Sequence, residues 1–471
     1  MRTSLLALAG VALLAATAAA DEMPVPTASR TGLSVTLYAD GFGLVTDRRK
    51  AVLAKGANSL AFEGVSARMM PSSALLATGD GVRVLERNFE FDLLSPQALL
   101  ERSVGRTVRV IRTRPDTGEE VVETATVLAA GNGPVLRIGD RIEITVPGRL
   151  VFDSVPAGLR AQPTLLIEAE SAAAAEAPLE LTYLTEGLRW RADYAAELDA
   201  AGKTLALGAW ASLVNETGVA FADADVQLLA GTVRREGERP LAAFKGAAMA
   251  AAAPAEDAMR REAVGDVHLY ALPRKATLAN NQTKQVALLS APTVPVTRQY
   301  VRQRWIGETP ERGGAVPTTY RPTIYVKFAN AAKSGLGQPL PAGLVRVYQR
   351  DSRGRMQFTG EQSIAHTAAD EEVALNLGEA VDIGIQYRQT AFTTDGLPER
   401  AFETEQQIAL TNAKSEPVTV RLAERFPGAA KILSESQTHE AFSGSEATWT
   451  VAVPAGGKAM LSYRARVQRP R

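Results

Sequence analysis

The chain has 471 residues, 46% of them hydrophobic, and its 52 Lys and Arg balance 52 Asp and Glu. This length predicts two or three domains, and the balanced charge gives no reason to expect a nucleic-acid partner. The absence of Cys excludes disulfides, thiolate metal sites and cysteine nucleophiles. We expect neither a cofactor nor a metal, because the three His residues lack ligand spacing.

Residues 1–20 have the pattern of a signal peptide. Arg2 supplies a positive charge, Leu5–Ala16 is apolar, and Ala18–Ala20 offers small residues for cleavage. The apolar run is short for a bilayer, and no later stretch reaches the length of a transmembrane span. We therefore expect a soluble periplasmic protein without a transmembrane span, with extracellular release as the alternative.

Most of the chain alternates apolar and polar residues with a period of two, which predicts β-strands. Leu179, Leu181 and Tyr183 alternate with polar neighbours. Gly139-Asp140, between two such runs, predicts a hairpin from Val135 to Val146. Further turns are expected at residues 199–202, 215–218 and 351–354, each of which ends in Gly.

The clearest predicted helix is Ser95–Ser103, with Ser95 as the cap and Pro96 at the first helical position. The remaining pattern predicts a mainly β protein of tandem β-sandwich-like or barrel-like domains with few short helices. Two Ala-rich stretches divide it. We expect an N-terminal β domain at 30–165, a linker at 171–178, and a C-terminal β domain at 179–468 with a mobile insertion at about 241–263.

Glu361, His366 and Thr367 form the first candidate constellation. A His beside a carboxylate could bind a ligand or act as a base. Alternatively, Glu361 and His366 hold a strand crossing in hydrogen bonds. We expect the second role, with His366 near Glu361 and the strand end at Val345–Tyr348, and a loss of about 1–3 kcal/mol on its removal.

Trp190, Asp193 and Tyr194 form the second constellation. Trp190 and Tyr194 lie on one face of a predicted strand, where they are either an aromatic platform for sugar or peptide or part of a sandwich core. A basic stretch, Arg298 to Arg304 beside Trp305, is expected to be a solvated face. We expect no catalytic residue, because no motif for phosphate binding or nucleophilic catalysis is present.

Segments spread over most of the chain resemble a known family, a secreted bacterial domain of unknown function shared with mucoidy-inhibitor-like proteins. The resemblance implies a fold and no reaction. The coiled coil of the mucoidy-inhibitor-like relatives has no counterpart between Val155 and Leu179. The segments that carry the resemblance are Leu33–Tyr38, Gly41–Val45, Leu60–Val65, Leu181–Tyr194, Tyr270–Arg274, Gln282–Leu289, Val345–Tyr348, Gly360-Glu361, His366-Thr367 and Trp449–Gly457.

Three functions fit these features. The first is a periplasmic, non-catalytic β module that binds an unknown protein or cell-envelope component through sheet edges or loops. The second is an envelope carbohydrate or peptidoglycan hydrolase that uses Asp and Glu. The third is a structural surface or matrix protein.

Overall fold

The structure is a computed structural model that describes residues 22–90, 93–131, 133–146, 148–156, 158–231, 233, 260–264, 267–307, 318–395 and 401–468. Strands hold 65% and helices 4% of the residues, which confirms the mainly β prediction. The predicted signal peptide at 1–20 and residues 241–259 of the predicted insertion lie outside the described residues. Residues 260–264 form a strand.

The chain forms two compact units, which are described separately below. The first contains residues 22–189, 214–229 and 269–284, and the second contains the remaining described residues. The first unit therefore takes segments from both of the predicted ranges, 30–165 and 179–468, whereas the second lies within 179–468. That those two ranges fold as domains stays a prediction.

Among the strands up to residue 186, the predicted alternation of buried and exposed residues is clear in β13. In chain order they are β1 (Glu22–Val25), β2 (Arg30–Tyr38), β3 (Phe42–Leu53), β4 (Gly56–Glu63), β5 (Leu75–Thr78), β6 (Val82–Glu90), β7 (Thr107–Thr113), β8 (Glu120–Ala129), β9 (Val135–Ile138), β10 (Arg141–Glu143), β11 (Arg149–Val151), β12 (Thr164–Ser171) and β13 (Ala175–Glu186). The helix α1 spans Pro96–Glu101, and short 3-10 turns lie at Thr27–Ser29, Pro71–Ser73 and Ala332–Ser334.

The later strands follow from residue 188 onward. They are β14 (Leu188–Leu198), β15 (Thr204–Asn215), β16 (Phe221–Ala230), β17 (Arg260–Val264), β18 (Val267–Ala271), β19 (Ala276–Leu278), β20 (Gln282–Pro295), β21 (Thr297–Trp305), β22 (Thr319–Tyr320), β23 (Thr323–Ala329), β24 (Gly343–Arg350), β25 (Met356–Ile364), β26 (Glu372–Glu379), β27 (Ile383–Asp395), β28 (Ala401–Asn412), β29 (Val418–Arg425), β30 (Ala429–Glu435), β31 (Ala441–Phe442), β32 (Glu446–Val453) and β33 (Lys458–Gln468).

The first unit contains two sheets, with strand orders β1-β4-β12-β6 and β16-β2-β3-β13-β5, and β19 pairs with β16. Strand β13 begins at Ala175 and pairs with β3, so the predicted linker at 171–178 is largely strand here. An insertion between β6 and β12 forms a third sheet, β10-β9-β8-β7-β11, with its own apolar core. As predicted, Ser95 caps α1 by accepting a hydrogen bond from the Ala98 N–H, and the helix ends at Glu101, two residues before the predicted Ser103.

The second unit contains a five-stranded sheet, β20-β15-β14-β24-β25, called here the β14 sheet. Two further sheets, β26-β23-β21-β29-β32-β31 and β22-β27-β28-β33-β30, share one apolar core. Trp449 from one of these sheets stacks on Tyr463 from the other, with 4.7 Å between ring centroids. This pair of sheets is a β-sandwich, because alternate residues of each sheet fill the space between them.

The predicted turns at 139–140 and 199–202 are confirmed, because each connects two neighbouring strands of one sheet. Arg141 pairs with Ile138 across Gly139-Asp140, although the second strand ends at Glu143 and not at Val146. In the turn between β14 and β15, the Gly202 N–H bonds the Asp199 carbonyl, and Gly202 has a φ of 66° that favours Gly.

Candidate functional site

The two faces of strand β14 have opposite characters. Trp190 and Tyr194 are 3% and 2% exposed, and the Tyr194 hydroxyl donates to the Pro341 carbonyl at 2.7 Å. Their burial favours the sandwich-core alternative over an exposed aromatic platform. Asp193 points to the other face because successive strand residues alternate. That outer face of the β14 sheet holds the polar and exposed side chains described next.

Asp193 is only 7% exposed, and its two carboxylate oxygens have different environments. Oδ2 accepts hydrogen bonds from the Ser212 hydroxyl at 2.6 Å and from Arg191 Nε at 3.1 Å. Oδ1 lies 3.5 Å from Arg346 Nη1 and has no hydrogen-bond donor within the described structure. Because a buried polar atom is normally hydrogen-bonded, Oδ1 is a candidate contact for a ligand.

Arg346 connects two of the residues that the sequence singled out. Its guanidinium contacts Asp193 at 3.5 Å and Glu361 Oε2 at 3.4 Å, distances typical of an ion pair without a hydrogen bond. On the other side, Gln285 donates to the Ser212 hydroxyl at 3.0 Å. One side chain from each of the five strands thus forms a continuous line, called here the polar row: Gln285, Ser212, Asp193, Arg346 and Glu361.

His366 and Thr367 lie beyond the end of β25. The His366 ring is exposed, and its Nδ1 accepts a hydrogen bond from the Ala342 N–H at 3.2 Å. Thr367 is 9% exposed and exchanges backbone hydrogen bonds with Leu340. His366 therefore supports the chain just before β24, whereas Glu361 joins the polar row. The predicted bond between Glu361 and His366 stays a prediction.

A groove of about 460 Å³ lies on the same face, toward the hairpin end of the β14 sheet. Gly208 forms part of it, and a Cβ atom built on Gly208 would meet nothing within 4 Å. Phe358 is 57% exposed and packs edge-on against Tyr348 at 5.9 Å. A Gly inside a strand often marks close approach of a ligand or a second backbone. The groove is lined by Ala195, Glu197, Ala206, Leu207, Gly208, Ser290, Ala291, Pro292, Tyr348 and Met356.

Trp210 links the polar row to the groove. It lies on β15 between Gly208, which lines the groove, and Ser212, which bonds Asp193, and alternation places all three on one face. Its side chain is 46% exposed, which is unusual for the largest apolar residue. Sequence reasoning missed Trp210, although its position on the side of Gly208 and Ser212 was the available signal.

The basic stretch on β21 was predicted to be a solvated face, and this prediction is wrong for Arg304. Arg304 is 15% exposed in its side chain, donates to Glu424 at 2.7 and 2.9 Å, and stacks on the Tyr387 ring at 3.9 Å. Burial lowers the pKa of the Arg304 guanidinium, but attraction to Glu424 raises it by more, so that the net shift is upward. Burial and the Glu424 charge raise the pKa of Tyr387. Arg304 and Glu424 therefore neutralise each other's charge inside the sandwich.

A second buried ion cluster lies in the first unit. Asp47, 1% exposed, accepts hydrogen bonds from Arg30 at 2.7 and 2.9 Å and from Arg49 at 2.7 and 3.2 Å. Burial raises the pKa of Asp47, but these hydrogen bonds lower it by more, so that the net shift is downward. Both oxygens of Asp47 are therefore bonded within the fold.

The described ranges hold neither a metal-binding cluster nor a helix of transmembrane length. No group of three or more His, Asp and Glu side chains there is placed to hold a metal ion. No helix there is long and apolar enough to cross a bilayer.

Comparison with known proteins finds one family. The model of a domain of unknown function (DUF4139) matches residues 179–471. No curated protein matches the chain. The family match confirms the predicted kinship with a domain of unknown function, while the predicted link to mucoidy-inhibitor-like proteins stays a prediction.

Proposed function

The chain belongs to the family of the domain of unknown function DUF4139, and we propose that this member is an exported, non-catalytic β protein that binds a cell-envelope component. The outer face of the β14 sheet is the proposed binding surface. One observation carries this proposal: a groove of about 460 Å³ adjoins an exposed Trp and a buried carboxylate oxygen without a hydrogen-bond donor. Binding sites commonly combine a concave surface with a few convergent polar groups.

The charged groups of this face support binding more than catalysis. Asp193 and Glu361 both contact Arg346, and Glu197 accepts a hydrogen bond from Arg350 at 2.7 Å. A glycosidase needs one carboxyl group that donates a proton to the leaving group, whereas each of these carboxylates contacts an arginine. The proposal for this face is therefore binding and not acid–base hydrolysis.

The proposed export rests on the charged start and apolar run of residues 1–20. The proposed relation to mucoidy-inhibitor-like proteins rests on the segments quoted above. Neither feature selects the bound component, which is a protein or another part of the envelope.

Site-specific photocrosslinking tests the surface directly. A photoreactive amino acid at Phe358 places the probe on the outer face, and the same substitution at Trp305, 67% exposed on β21, is the matched control. We expect an adduct with an envelope component from position 358 and none from position 305 in producing cells. Equal adducts from both positions, or none from 358, would contradict the proposal. Adducts only between copies of the chain would favour a structural matrix role.

A further inference from the structure

We infer that the outer face of the β14 sheet binds a neutral glycan chain, an inference that rests on the proposed binding function and names its ligand class. Three features of the face lead to this class. They are the balance of its charges, the pairing of its backbone, and the exposed aromatic ring beside an open strand.

The carboxylates of the polar row and groove are balanced by arginines that contact them. Three carboxylates contact three arginines, of which Arg346 belongs to the polar row and the other two lie beside the row and the groove. A polyanion or a polycation would therefore meet as much repulsion as attraction at this face. The six charged residues are Arg191, Arg346 and Arg350, with Asp193, Glu197 and Glu361.

The backbone of the face offers little to a peptide. Strands β15, β14 and β24 are interior strands of the sheet, and β14 pairs with β24 from Ala192 to Leu198. Peptides that bind sheets usually add a strand at an edge and use the unpaired main-chain groups there. A ligand on this face must bind through side chains, which suits a polymer whose hydroxyl groups both donate and accept.

The side chains of the face match such a polymer. Trp210 presents an exposed ring on which the apolar C–H face of a sugar can pack, and the open space above Gly208 leaves room for the next ring. Arg191 has 73% and Arg346 37% of its side chain exposed, so both can donate to hydroxyl oxygens. A ligand hydroxyl is the donor that would complete the hydrogen bonding of Asp193 Oδ1.

Calorimetric titration of the full chain tests the inference. The probes are a neutral N-acetylglucosamine tetramer, neutral dextran, anionic polygalacturonate and an uncharged extended peptide. We expect saturable binding of at least one neutral glycan and none of the other two. Trp210→Ala should weaken that binding by about tenfold or more, as for a central aromatic contact. Trp305→Ala should leave it unchanged.

A second variant protects the test against misfolding. Gly208→Leu fills the open groove floor at a position with ordinary strand backbone, so it should abolish binding while thermal unfolding stays unchanged. Failure of both neutral glycans to bind, binding that survives both variants, or binding of the polyanion or peptide alone would overturn the inference. If the Phe358 crosslink then forms to a protease-sensitive component, the proposed function stands and the glycan inference fails. If neither assay detects a ligand, both fail.

Discussion

Two buried aspartates, one in each unit, show how similar residues come to serve different purposes. Asp47 and Asp193 are 1% and 7% exposed, and each contacts two arginines. Both oxygens of Asp47 are hydrogen-bonded, whereas Oδ1 of Asp193 has no donor in the described structure. Fully satisfied buried groups stabilise a fold, while an unsatisfied one is a cost that needs a reason. We therefore infer that Asp47 stabilises the fold, and Asp193 remains the residue proposed for binding.

The largest expected effect is on stability at Asp47. Asp47→Asn leaves the Arg49 guanidinium, which is fully buried, without its counter-charge, and should lower the free energy of unfolding by about 3–5 kcal/mol. Urea denaturation measures this loss. Asp116→Asn, at an exposed turn, changes the charge equally and is the control. A loss no greater than that of the control would show that the cluster does not hold the fold.

The stabilising effect of Asp47 should also depend on pH. Because the pKa of Asp47 is lower in the folded chain than its ordinary value of 3.8, its contribution is present above pH 3.8. It is lost as the pH falls from there through the folded pKa. The difference in stability between the wild type and Asp47→Asn should therefore shrink below about pH 4. A difference that stays constant down to pH 2 would contradict the ion-pair account.

Asp193→Asn should lower the free energy of unfolding less than Asp47→Asn does, and it should weaken binding more. It removes the charge from two hydrogen bonds, and we expect a loss of about 1–2 kcal/mol in the free energy of unfolding. The folded variant should retain far less envelope component than the wild type, whereas folded Asp47→Asn should retain as much. A loss of stability as large as that of Asp47→Asn, with binding intact, would place both aspartates in the structural class.

His366→Ala should have a smaller effect than either aspartate substitution. The ring is exposed and accepts one backbone hydrogen bond, so we expect a loss of about 1 kcal/mol or less. This is at the lower end of the range expected from the sequence, because burial of His366 was the premise of the higher values. Thermal unfolding measures the shift, and envelope binding should be unchanged. A stable variant without binding would bring His366 into the site.

The sequence predicted those features that depend on neighbouring residues. The period of two placed Trp190 and Tyr194 on one face, and the Ser95-Pro96 pair predicted where α1 begins. Both predictions depend on local geometry, since alternation and capping act over a few residues.

The sequence could not predict features that depend on which strands become neighbours. Arg304 looks solvated on its own strand, and its partner Glu424 is 120 residues away. The polar row likewise takes one residue from each of five strands, and a one-residue change of register would turn any of them to the other face. Trp210 and Gly208 come to lie beside the groove and the polar row only when the strands of the β14 sheet pair.

The proposed binding role of the outer face is tested most directly by co-sedimentation with isolated cell envelopes. The bound fraction of the full chain is compared among the wild type, Trp210→Ala and Trp305→Ala. Both tryptophans are exposed, at 46% and 67%, so each replacement should change the free energy of unfolding by no more than about 0.5 kcal/mol. We predict that Trp210→Ala loses most of the bound fraction and that Trp305→Ala keeps it. Equal retention by the two variants would contradict the assignment of binding to the β14 sheet.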